Sequence, residues 1–165
     1  MNYINQYRNW IFLGAICLTI ILLFIANIIG NQENQQSLED QAKFNYAVEL
    51  LSQDQPDQAL TFLEELKGDY KDNHLVIWQK GWAHGQLGEL EEAIDYFLDA
   101  QEINPVLTRQ PIFLIQFSYV MLNAERFDEA RVYLEHSKNQ RGITEEQIEL
   151  VDTWLEFIEI ETEAS

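Results

Sequence analysis

Apolar positions along the chain fall into two patterns. From Ile11 to Ile29 they are nearly continuous, and "IFLGAICLTIILLFIANII" contains no charged residue. From Phe44 onward they recur at spacings of three and four. Phe44, Ala47, Val48 and Leu51 make one set, and Ala59, Leu60, Leu63 and Leu66 make the next. That period puts one apolar stripe on each of a series of helices, and no alternating run of the kind a strand needs stands out. Pro56 falls at a helix start, where its missing N–H costs nothing. Ser37, three residues before Asp40, predicts the start of the first helix, and "TEEQ" from Thr144 to Gln147 predicts a capping box for the last. In that last helix Ile148, Val151, Trp154, Leu155 and Ile158 lie on one side, with acids on the other.

The stripes repeat. Ala59, Leu63 and Leu66 recur as Ala93, Phe97 and Ala100 at an offset of 34 residues. Ala130, Leu134 and Ser137 recur at an offset of 37, with the three extra residues expected around Thr108 to Gln110. "SQDQP", "LGE" and "NAERF" occupy equivalent turns, so each unit reads as two helices joined by a short turn. Small residues at Ala47, Gly81 and Ser118, and at Ala59, Ala93 and Ala130, let paired helices approach closely. Leu63, Phe97 and Leu134 fill the space between units. No such unit buries its apolar face alone, so three stacked units share one core.

These residues resemble the tetratricopeptide repeat family. The stretch His74 to Leu107 carries the likeness best, with Gly81, Gly88, Ala93, Phe97, Ala100 and Pro105 in the family's small, aromatic and proline positions. The flanking units are weaker, since Ala47 and Ser118 replace the first glycine and Gly142 stands where the closing proline would be. The expected architecture is all-α. It has a tail over 1–10, a transmembrane helix over 11–29, a polar spacer over 30–39, three repeat units (40–73, 74–107 and 111–144), and a capping helix and tail over 145–165. The resemblance implies a short α-solenoid whose first helices line a concave groove. The matching positions are Phe44 and Val48, Trp78 and Trp82, and Ile115 and Tyr119. If open, they form an aromatic stripe that marks a partner site; the same spacing also suits core residues. The Lys-, Asn- and Arg-rich clamp that some members use for acidic tails is absent at these positions. An apolar or amphipathic segment therefore suits the groove better.

Charge narrows the partners. The chain of 165 residues has 28 acids against 10 bases, a net charge of -18. That opposes binding to nucleic acid and to anionic lipid surfaces. One cysteine, Cys17, allows no internal disulfide, and His74, His84 and His136 lack metal-ligand spacing. No phosphate loop, nucleophile elbow or zinc-protease motif occurs, so neither catalysis nor a cofactor is expected. The 11–29 stretch is long enough for a hydrocarbon core, at about 1.5 Å per residue. Tyr7 and Trp10 precede it at headgroup depth. It is longer than a signal-peptide core and has no A-x-A cleavage site, which favours a retained single-pass anchor in the cell membrane. Arg8 precedes the span and acids follow it, which orients the amino terminus to the cytoplasm and the remainder outside. Two functions are then in view. One is a tethered adaptor that serves assembly, secretion or quality control of an envelope complex. The other is a structural subunit of a membrane complex with no client groove. Homo-oligomerisation is compatible with either.

Overall fold

The computed structural model describes residues 35–163 and divides the chain into two units, 1–41 and 42–165. Of the first unit only 35–41 are described, and all are helical. Ser37 therefore lies inside a helix rather than at its start, and residues 35–39 are helix rather than spacer. The cause is compositional: no Gly or Pro occurs between Asn31 and Gln55 to interrupt the good helix formers there. The tail 1–10 and the span 11–29 lie outside the described residues. Among the described residues no helix is long and apolar enough to cross a membrane.

The second unit is all-helical among its described residues. Here α1 denotes the helical stretch 42–52. It is followed by α2 (Pro56–Glu64), α3 (His74–Leu87), α4 (Leu90–Ile103), α5 (Pro111–Asn123), α6 (Phe127–Lys138) and α7 (Glu145–Glu163). Pro56 and Pro111 stand in the first turns of α2 and α5. The extra residues between the second and third pairs form a 3-10 turn, Pro105–Arg109, which buries Leu107. Asn104 starts it, accepting the Val106 N–H at 3.2 Å. The capping box ahead of α7 forms as expected. Gln147 N–H donates to Thr144 Oγ1 at 3.2 Å, and the Thr144 N–H to Gln147 Oε1 at 3.1 Å.

The three hairpin turns share one backbone device. Asp54, Gly88 and Glu125 each take positive φ, at 57°, 79° and 57°. The following N–H then donates back across the helix end: Gln55 to Leu50 O, Glu89 to His84 O and Arg126 to Met121 O, at 3.0, 3.0 and 2.9 Å. This is the Schellman closure. Gly88 is thus a helix terminator rather than a packing residue, since a Cβ there would meet nothing within 4 Å. Gly81 is the packing glycine. A Cβ on it would come within 3.0 Å of Phe97 Cδ2 and Tyr96 Cβ, so its absence lets α3 lie close on α4.

The core has two parts. A smaller cluster holds α1 and α2 against α3, through Ala47, Leu50, Leu51, Ala59, Leu63, Leu66, Val76 and Ala83. A larger one joins α3 to α7 around Phe97, Phe113 and Phe117, with Val151 and Ile158 contributed by α7. Phe97 and Phe117 stack in parallel with centroids 4.8 Å apart. Ala93, Ala100, Ala130, Leu134, Ser118 and Ser137 are all fully buried where the repeat pattern puts them. Pro105 is exposed at the start of its turn.

Candidate partner-binding groove

The first helices α1, α3 and α5 each carry two of the residues expected to line the groove, and the two differ in fate. Trp78 is 6 % exposed and Ile115 4 % exposed, so both belong to the core. Trp78 lies edge-on to Phe113 at 5.4 Å, and its Nε1–H donates to Gln116 Oε1 at 2.8 Å. Phe44 is half-buried against the smaller cluster. By contrast Val48 is exposed, and Trp82 and Tyr119 are half-buried. The reason is helical geometry. Residues four apart are rotated by about 40°, enough to turn the earlier one of each pair inward and leave the later one on the open side.

The outward residues make a ladder that continues onto the last helix. Trp82 meets Tyr119 edge-on at 5.6 Å, and Tyr119 meets Trp154 at 5.8 Å. Gly85 makes this possible. A Cβ on it would fall 2.6 Å from Val120 Cγ2, so only a glycine lets α3 sit this close to α5. Beyond Tyr119 the ladder opens into a cavity of about 370 Å³, lined by Tyr119, Leu122 and Asn123 of α5 and by Thr153, Trp154 and Phe157 of α7. It is accessible, with the lining Phe157 44 % exposed.

Residues 76–106 match the tetratricopeptide repeat family. The match covers α3, α4 and the start of the turn after them, the unit in which the signature residues are densest. A comparison with curated proteins finds no match. A tetratricopeptide repeat is a module for protein–protein interaction, and the matched repeat contributes Trp82 to the ladder.

The sequence pattern puts Trp154 on the covered side of the final helix and gives Phe157 no role, whereas both line the cavity. Val151 and Ile158 are buried on that covered side. The signal for the rest was the interval from Tyr119 to Trp154, 35 residues, close to the repeat offsets that relate Val48, Trp82 and Tyr119. The apolar arc of α7 is wider than one buried face requires.

Electrostatics around the groove is one-sided. Helix α7 carries eight acids and no Lys or Arg. Asp152 points away to Lys138 of α6, at 2.5 Å. Elsewhere the polar side chains tie helices together. His84 Nδ1 lies 2.6 Å from Glu89 Oε2 and 3.8 Å from Glu92 Oε2, and its ring stacks on Tyr96 at 5.1 Å. Burial, and then the Glu92 carboxylate, push the Tyr96 phenol up from its ordinary value. The three ligand-type atoms of His84, Glu89 and Glu92 lie within 4.8 Å of one another. With two exposed carboxylates and no second imidazole or thiolate, the cluster acts here as a brace across the α3–α4 turn. His74 braces the other end of the pair, its Nε2 2.8 Å from Asn104 Nδ2.

Proposed function

We propose that this protein is a membrane-tethered adaptor that holds a protein partner along the open side of α3, α5 and α7. The observation that carries the reading is the ladder Trp82–Tyr119–Trp154, which ends in an accessible, mostly apolar cavity. Rigid aromatic rings beside a cavity are the usual anchors of a binding interface. An apolar or amphipathic segment is the partner that suits them. The uncharged stretch 11–29 supports the tether, and Arg8 on one side of it, with acids on the other, supports an extracytoplasmic helical region. Tethering raises a partner's effective concentration at the membrane, which suits a modest groove. Assembly, secretion or quality control of an envelope complex is the kind of task such a device serves.

Site-specific photo-crosslinking in intact cells tests the adaptor reading. A crosslinker replacing Phe157 is expected to capture a discrete partner, and one replacing Val132 to capture none; Val132 is exposed on α6, away from the ladder. A fixed structural subunit would instead give equally strong adducts from both positions. Protease added outside the cell membrane, with the envelope permeabilised, is expected to digest the helical region. Its protection would overturn the proposed orientation.

A further inference from the structure

The chemistry of the occupant can be drawn from the α5–α7 end of the groove; this step rests on the groove reading above. We propose that this end seats a cationic amphipathic helix of a partner protein, with its apolar face in the cavity and its Lys or Arg side chains against the carboxylates of α7.

Three observations converge on that occupant. The first is shape: Leu150, Trp154 and Phe157 are spaced by four and three, so they form one stripe along α7, and the last two line the cavity. Such a stripe matches the i, i+3, i+4 anchors of a helix laid in a groove. The second is the charge bordering the stripe. Glu149 and Glu156 lie one turn to either side of the cavity residue Thr153, and Glu146 lies one turn before Leu150; all three are exposed. The third is the position of the cavity at the last turn of α5, where Leu122 and Asn123 line it. Helix ends of this polarity carry a partial negative charge, which adds modestly to the carboxylates here because the Val120, Met121 and Leu122 carbonyls already accept the N–H groups of Ala124, Arg126 and Glu125.

The same facts argue against other occupants. A second copy would bring eight acids of one α7 toward eight of another, and like charges oppose association. Anionic lipid and nucleic acid meet the same repulsion. A neutral apolar segment would fill the cavity but leave the carboxylates unanswered. A cationic amphipathic helix satisfies both features at once, and the attraction would also speed its encounter.

The test uses the full chain in an uncharged detergent and three fluorescent synthetic peptides. One has a leucine stripe flanked by lysines, the second has glutamates in place of the lysines, and the third scrambles the first. Anisotropy titrations are run on the wild-type chain and on Phe157→Ser, Trp154→Ala and Glu149→Gln/Glu156→Gln variants, with unfolding temperature measured on each. The lysine peptide is expected to bind best. Its affinity should fall about tenfold or more in Phe157→Ser, in line with loss of an interface anchor. It should also weaken as salt shortens the Debye length from about 30 to about 8 Å, and the double Gln variant should flatten that dependence. If the glutamate peptide binds equally well and is still lost in Phe157→Ser, the groove stands and the cationic occupant is overturned. If the lysine peptide binds Phe157→Ser and Trp154→Ala as tightly as wild type, the groove reading itself fails. Equal binding of the scrambled peptide overturns the amphipathic helix. A dimer that Phe157→Ser converts to a monomer, seen by sedimentation, overturns it in favour of a second copy.

Discussion

The two halves of the core are built on one backbone plan with different fillings. In the smaller cluster the space between helices is filled by aliphatic side chains: Leu50, Leu51, Leu63 and Leu66 around Ala47 and Ala59. In the larger, Phe97 takes the place of Leu63 and stacks on Phe117, with Phe113 also fully buried and Tyr133 tilted against Phe117 at 4.8 Å. Trp82 packs against both clusters. The repeat therefore fixes where a side chain sits and leaves open how much it contributes. The aromatic half also carries the open ladder, so the scaffold with the larger buried rings supports the binding face. That agrees with the general need to hold a site on rigid elements.

Truncating the two fillings tests this contrast most severely. Phe117→Ala should destabilise the chain by about 3–5 kcal/mol, and Leu63→Ala by about 2–5 kcal/mol toward the lower end, because its smaller neighbours can close on it. Urea unfolding followed by tryptophan fluorescence reads the difference, and equal losses would erase the contrast. Next in size is Gly85→Ala. The new methyl meets a fully buried, stiff valine, so the cost is about 1–3 kcal/mol, less the helix-propensity gain of up to about 1 kcal/mol. Adding Val120→Ala should make the pair non-additive, with the cavity left by valine absorbing the methyl. Independent losses would show that the α3–α5 approach does not depend on this contact.

The hairpin turns give smaller effects of opposite sign. Glu125→Gly and Asp54→Gly each relieve a side chain at positive φ and should stabilise by up to about 1 kcal/mol, while Gly88→Ala should cost about 1 kcal/mol. Thermal unfolding checks all three, and a destabilising Glu125→Gly would show that its side chain has another role. Smallest is the exposed link from Lys43 of α1 to Glu65 after α2, at 2.7 Å. The hydrogen bond and charge of Lys43 hold the Glu65 carboxyl below its ordinary 4.5. Its contribution is thus complete above that value and lost as pH falls through the lowered one. In Lys43→Met the small acid-side dependence from Glu65 should vanish with stability at neutral pH nearly unchanged.

The sequence was most legible where one residue type answers one geometric need. The periodic alanines and the residues at Leu63, Phe97 and Leu134 declared the helix pairs, and the capping box declared the last helix. Two glycines were read for the wrong reason or passed over. Gly88 looks like a small packing residue until its φ is known, and Gly85 matters only because Val120, on a different helix, faces it. Two of the six groove positions, Trp78 and Ile115, belong to the core for a comparable reason. Spacing of four puts Trp78 and Trp82 on one face, but the rotation of about 40° between them is enough to turn Trp78 into the core against Phe113. Trp154 reads as cap because a capping helix and a groove helix share one periodicity, and the ring it meets, Tyr119, distinguishes them.

The claim that the ladder and its cavity form a binding face separable from the fold rests most directly on one variant. Phe157→Ser removes a ring that lines the cavity and is 44 % exposed, with its covered side against Phe127, so unfolding and partner capture can be measured on the same preparation. The account predicts a cooperative unfolding transition lowered by no more than about 5 °C, because a half-covered ring that lies edge-on to Phe127 at 6.1 Å contributes about 1 kcal/mol, together with loss of the partner. Unchanged capture by a folded variant would contradict it.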